Sequence, residues 1–328
     1  MLAFVLRRVL QSGIVMLVVA FIAFGLFNFV GDPVAFMLGQ DATQEERVRL
    51  RGELGLDQPF YVQFSRFAGN ALKGEFGVSL RQGRPVSTLL KERLPATIEL
   101  ALAAALLALF VGIPLGVYTA LRRQSWLSHV LLAGSLVGVS LPSFLIGILL
   151  ILIFAVYLGW LPSFGRGDVT PLGWWTTGLV TASGLKSLIL PAITLSLFQL
   201  TLIMRLVRAE MLEVLRTDYV KFARARGLTD RAIHFGHALR NTLVPVITIT
   251  GLQLGAIIAF AIITETVFQW PGMGLLFIQA VNFADIPVMA AYLFFIALVF
   301  VTINLIVDLL YYAVDPRLRI ERNAAAGH

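Results

Sequence analysis

Six separate runs of mostly apolar residues leave this chain few folds to choose from. They cover about 9–30, 96–121, 131–158, 188–207, 243–264 and 287–314, the third interrupted by Pro142. A helix rises about 1.5 Å per residue, so about 20 apolar residues cross a hydrocarbon core about 30 Å thick. Each run is long enough to do so. Composition agrees: 58% of the 328 residues are hydrophobic and 14% charged, whereas soluble domains average about 45–50% and about 25%. The expected fold is all-α and membrane-integral, with six transmembrane helices. The first run follows Arg7 and Arg8 and outlasts the ~7–15-residue apolar segment of a signal peptide, so it reads as a retained helix.

Basic residues set the orientation. Arg7 and Arg8 precede the first run, and Arg122 and Arg123 follow the second. Arg205, Arg208, Arg216, Lys221, Arg224, Arg226, Arg231 and Arg240 lie between the fourth and fifth, and Arg317, Arg319 and Arg322 follow the sixth. With alternating spans, all four clusters fall on one side, which places both termini in the cytoplasm. The opposite connections are poor in Lys and Arg. The exception, 31–95, holds nine basic residues but eight acids, and segments of about 60 residues escape the rule. The expected divisions are 1–30 (N-terminal segment and first helix), 31–95 (an extracytoplasmic cap with a short polar helix at 44–54), 96–314 (a five-helix core) and 315–328 (a cytoplasmic tail). The net charge of +7 thus reflects cytoplasmic loops rather than nucleic-acid binding.

Several chemistries drop out. With no cysteine, disulfides, thiol nucleophiles and Cys-based zinc sites are excluded. His234 and His237 share the basic loop without a nearby carboxylate or thiol, so no metal is expected. Ser140 and Ser143 flank Pro142, but no histidine lies in any span to act as their base. No Gly-x4-Gly-Lys-[Ser/Thr] phosphate loop is present, so the chain is not expected to hydrolyse ATP.

The loop 208–241 carries the strongest functional signal. Thr217 can cap a helix that begins at Asp218, whose charge suits a helix N-terminus. Gly227 suits a left-handed position at its end, with Leu228 after it. Thr229 and Asp230 can start a second short helix to about Arg240, and Pro245 opens the fifth span. Tyr219, Phe222, Ala223 and Arg226 fall on one face of the first helix at i, i+3, i+4 and i+7, while Ala223, Ala225 and Gly227 allow close approach of another backbone. Such a helix either seats in a groove on a soluble partner or lies on anionic lipid headgroups.

Polar residues inside the spans are the next candidates. Gln199, Thr201, Thr248, Thr250, Gln253, Asn304 and Asp308 are costly in lipid and face protein or water. They either line a translocation path or make interhelical hydrogen bonds worth ~0.6–2 kcal/mol each. Trp270, Pro271, Gly272 and Gly274 form a tight turn before a short helix. That turn reads either as an extracytoplasmic gate or docking surface, or as an ordinary turn with Trp270 at the membrane interface.

The string Tyr219-Val220-Lys221-Phe222-Ala223-Arg224-Ala225-Arg226-Gly227-Leu228, followed by His237-Ala238-Leu239-Arg240-Asn241 and Pro245, resembles the EAA loop of binding-protein-dependent ABC importers. It is most similar to the version in the dipeptide/oligopeptide (peptide/nickel) permease family, B-type subunit. Lys221 and Phe222 replace the generic Glu-Ala, and the Gly-to-Pro spacing is longer; both departures resemble the peptide/nickel branch. Gly31-Asp32-Pro33, Gly74-Glu75-Phe76-Gly77-Val78-Ser79, Arg93-Leu94-Pro95-Ala96-Thr97, Leu158-Gly159-Trp160-Leu161-Pro162 and the stretch from Glu265 to Gly274, with Asp285-Ile286-Pro287, extend the resemblance over nearly the whole chain. The resemblance implies a type I ABC importer permease in the bacterial cytoplasmic (inner) membrane. It implies a homologous second permease, two ATP-binding subunits that hold ATP and Mg, an extracytoplasmic substrate-binding protein, and no cofactor in this chain. It implies that Tyr219, Phe222, Ala223, Ala225, Arg226, Gly227 and Leu228 couple to the ATPase. Dipeptides, longer peptides, glutathione and nickel complexes are the cargo classes of such relatives. The alternative is a stand-alone secondary transporter or channel, which would be expected to carry inverted repeats; no repeat is visible.

Overall fold

The computed structural model describes residues 2–29, 34, 38, 43–53 and 56–314. The expected Gly31-Asp32-Pro33 segment, the last residue of the 44–54 helix and the tail 315–328 lie outside them. In chain order the described elements are α1 (Leu2–Phe29), α2 (Gln44–Glu53), α3 (Phe60–Leu72), α4 (Val86–Leu121), α5 (Trp126–Ser140) and α6 (Ser143–Leu150). A π-helical stretch (Ile151–Tyr157) extends α6, and a hairpin of β1 (Thr170–Leu172) and β2 (Trp175–Thr177) follows. Then come α7 (Ala182–Val214), α8 (Asp218–Ala225), a π-helical segment (Ala232–Ala238) running into α9 (Leu239–Val267), α10 (Met273–Asn282) and α11 (Ile286–Val314). Among the described residues four helices are long and apolar enough to cross a membrane, and up to six spans result if two bent helix pairs each form one.

The chain forms two compact units. The first comprises Met1–Thr97, Thr170–Thr177 and Pro271–Leu305. Its α2 begins with a capping box: the Thr43 N–H and hydroxyl donate to the Glu46 carboxylate, and the Glu46 N–H donates back to Thr43 Oγ1 at 3.3 Å. These bonds, the backbone one foremost, hold the Glu46 carboxyl below its usual range. On α3, Phe60, Phe64 and Phe67 recur at i, i+4 and i+7 and meet Phe21 and Phe24 of α1 at ring separations of 5.0–5.9 Å. Val86, Leu89 and Leu90 at the start of α4 pack with Met273, Leu276, Ala280, Val288, Ala291 and Tyr292. Buried Asp285 accepts from the Ser79 hydroxyl and from the Leu80 and Arg81 N–H groups.

The second unit comprises Ile98–Val169, Gly178–Trp270 and Ile306–His328. Its core joins Ala108, Val117 and Ala120 of α4 to Ile203, Val207 and Met211 of α7 and Val246 of α9. Gly112 and Gly116 let α4 press against α7: a Cβ placed on Gly116 would sit 2.6 Å from the Val207 Cβ. Without a hydrophobic drive between helices in lipid, such close backbone contact supplies the attraction. Large side chains that face outward, such as Leu102, Leu106 and Phe110, suit a chain whose solvent is hydrocarbon.

Two expected boundaries change. The second helix starts at Val86, not near Ala96, so Pro95 lies inside it; packing of its first turns outweighs the lost hydrogen bond. The third run is interrupted at Pro142 as read, and α5 and the α6 stretch meet there at 111°. No separate second loop helix forms: the segment from Asp230 runs through the π turns into α9 and leaves Pro245 inside that helix.

Candidate functional site

The helix α8 is set by its ends. Asp218 occupies its first turn, and a 2.8 Å hydrogen bond from Lys221, with that residue's charge, holds the Asp218 carboxyl below its usual range. Thr217 occupies the cap position, but its hydroxyl donates to the Val214 carbonyl at 2.6 Å instead of accepting from the helix. At the other end Gly227 has φ +79°. Its N–H donates to Arg224 O at 3.0 Å and the Leu228 N–H to Ala223 O at 3.3 Å, the paired bonds of a Schellman motif. Thr229 then caps the next segment by accepting from the Ala232 N–H at 3.4 Å.

Val220 and Ala223 are buried with Ile233 and seat α8 on its own loop. The opposite surface is open: Tyr219 is 40% and Phe222 65% exposed. The Arg226 guanidinium lies 5.8 Å from the Phe222 ring centroid, within cation–π range. Asn241 donates to the Tyr219 hydroxyl at 2.6 Å and fixes that ring against the following helix. Ala225, Gly227 and Leu228 are also exposed. The expected face is therefore corrected in one residue. Tyr219, Phe222 and Arg226 point outward as read, but Ala223 turns inward, because Val220 and Ile233 form the buried side and draw it with them. What remains is a rigid, aromatic, cationic knob on a short helix, suited to fill a groove.

The intramembrane candidates scatter. Gln199, Thr201 and Thr250 are buried; Gln253, Asn304 and Asp308 are half-buried. The Gln199 amide donates to Gln253 Oε1 at 3.5 Å, and Thr201 donates to the Ser135 carbonyl at 3.4 Å. The Thr250 hydroxyl is buried without a hydrogen-bond partner among the described residues. A cavity of about 200 Å³ opens beside Gln199, and Thr250, Gln253, Asn304 and Asp308 do not line it. Thr248 lies on α9, and its side chain is outside the described part of the molecule. In the turn before α10, Trp270 is 1% exposed and its backbone N–H donates to Glu265 O at 2.8 Å, so its ring is no surface anchor. Pro271 leads into Gly272, which caps α10, and Gly274 is buried in that helix's first turn.

One strong interaction has no counterpart in the sequence reading. Arg166 and Glu99 form a 2.6 Å ion pair, each about 5–6% exposed, and Glu99 also receives the Gly178 N–H at 3.4 Å. A carboxylate early in an apolar run was the available signal, since a buried charge requires a partner.

Comparison with known proteins supplies the context for this geometry. Residues 112–320 match the family described as binding-protein-dependent transport system inner membrane component. Residues 1–101 match the N-terminal region of such membrane components. A putative peptide transport system permease protein of Brucella abortus is 41% identical, over 98% of this chain and 100% of its own length. The dipeptide transport system permease protein DppB of Haemophilus influenzae is 41% identical, over 97% and 100%. The probable D,D-dipeptide transport system permease protein DdpB of Escherichia coli is 40% identical, over 88% of each. Among solved structures, the MetNI methionine ABC transporter in inward-facing conformations aligns with 69% of this chain and 96% of that one, at a TM-score of 0.55 and 18% identity. That likeness concerns the fold.

Proposed function

Because this chain belongs to the family of binding-protein-dependent transport system inner membrane components, we propose that it is the B-type permease subunit of a peptide importer driven by separate ATPase subunits. Membership makes it a multi-pass inner-membrane permease, not an enzyme, that works with other ABC subunits. The finer reading is ours. The chain pairs with a homologous permease; two ATP-binding subunits hold ATP and Mg on the cytoplasmic face; an extracytoplasmic binding protein delivers dipeptides or short oligopeptides. The cargo assignment draws support from full-length relatives named for peptide or dipeptide transport.

The observation that carries the coupling role is the outward face of α8. Its Tyr219, Phe222 and Arg226 are exposed while Val220 and Ala223 anchor the helix to its own loop. A push on that face moves α8 as a rigid body, and the continuous segment from Asp230 into α9 carries the displacement into a span. ATP-driven closure of the ATPase pair supplies the push. Phe222→Asp is the cleanest test, because an exposed residue can change without disturbing the fold. Loss of ATPase subunits from the purified complex, together with loss of uptake, is the expected result. Full uptake with the subunits retained would remove α8 from the coupling role.

A further inference from the structure

The third apolar run breaks between Ser140 and Ser143, where the helical pieces meet at 111°. Helical bonding fails at that point, since Pro142 has no N–H to offer the Gly138 carbonyl and the first N–H groups of α6 lack partners within their own helix. In hydrocarbon each unsatisfied backbone group costs several kcal/mol, so such a break persists only inside protein or along a water-filled space. The structure places a cavity against the break. The cavity of about 200 Å³ is bordered by Gly138 and Leu141 before the break, Ser143 after it, Gln199 on α7, and Ile257 and Phe260 on α9.

Two features of the wall restrict what it holds. No ionisable side chain lines it, so a charged group entering would lose its hydration without gaining a counterion, while an apolar group would gain by burial. Its one nearly enclosed amide, Gln199, is 4% exposed and offers both donors and acceptors. Size restricts the occupant further. A cavity of about 150 Å³ admits a benzene ring, so this one holds a single aromatic or branched side chain and not a whole tripeptide.

We propose that this cavity is a transit subsite that receives one apolar side chain of the cargo peptide, with the Gln199 amide hydrogen-bonding to the cargo backbone. The proposal rests on the peptide-import reading above. It assigns this chain a share of selectivity beyond that of the binding protein.

The test uses the complete transporter in proteoliposomes, at saturating binding protein and peptide, so that the binding protein's own preference does not enter. Uptake of alanyl-phenylalanine is measured against uptake of alanyl-alanine. Ser143→Leu, which narrows the cavity, is expected to lower that ratio on the order of 10-fold, the discrimination typical of an apolar pocket. Ile257→Ala, which widens it, is expected to raise the ratio for a larger cargo, alanyl-tryptophan against alanyl-alanine. Unchanged ratios in both variants, or equal losses for all peptides, overturn the subsite and leave peptide import standing. Wild-type vesicles that accumulate none of the peptides while ATP is hydrolysed overturn peptide import and the subsite together.

Discussion

The loop helix α8 and the broken third span solve opposite problems with the same kind of punctuation residue. In α8 the breaker is Gly227, which ends the helix in water by closing two backbone hydrogen bonds. In the third span the breaker is Pro142, which has no N–H for the preceding turn and bends the run by 111° beside a cavity. The first break closes its bonds with immediate neighbours; the second lies beside a cavity walled by helices far away in sequence. A break closed locally leaves a well-defined helix end; a break left open lies against a cavity.

Four substitutions or conditions sharpen or break that contrast. The largest effect is expected from Phe222→Asp on the α8 handle. An aromatic anchor at the centre of an interface contributes about 2 kcal/mol or more, so ATPase association should weaken at least about 30-fold in a pull-down titration, with the permease still folded. Gly116→Val tests the packing that supports the site instead. A Cβ there would stand 2.6 Å from Val207 Cβ, and overpacking costs about 1–3 kcal/mol. The detergent-solubilised complex should lose thermal stability, and retention of wild-type stability would show that α4 and α7 are less closely packed than described.

Gly227→Ala should cost less, about 1 kcal/mol for a left-handed non-glycine residue, since nothing crowds the added methyl. Hydrogen exchange should rise in 218–228 and stay constant in α4 and α7. A change that spreads to the spans would mean the handle is not locally held. The smallest effect concerns pH. The Asp218 carboxyl titrates below its usual range because Lys221 donates to it, so its stabilising contribution is present at neutral pH. It is lost as pH falls below the ordinary carboxylate range of about 4. Protection factors of the α8 amides, corrected for the intrinsic pH dependence of exchange, should fall there, and Asp218→Asn should remove that fall.

The handle was nearly legible because caps and a glycine terminator act within a few residues. Asp218, Gly227, Leu228 and Thr229 all do what their neighbours imply. Ala223 was misplaced because the burying partner, Ile233, lies beyond the glycine and nothing local announces it. The start of α4 was misread for a related reason. Lys91, Glu92, Arg93 and Pro95 look like a stop, yet Val86, Leu89 and Leu90 are buried against residues two hundred positions further on. Pro142 marked the interruption of the third span, but neither the 111° bend nor the cavity beside Gln199 follows from any single stretch.

By itself the sequence determined that the chain lives in a membrane, which runs are apolar enough to cross it and how the short loop helix is terminated, because transfer from water and helix termination depend on runs of adjacent residues. Tertiary structure alone decided which side chains are inward, that Glu99 meets Arg166, and where a broken helix leaves room for another molecule. Those outcomes are set by distances between segments remote along the chain, and composition carries no record of them.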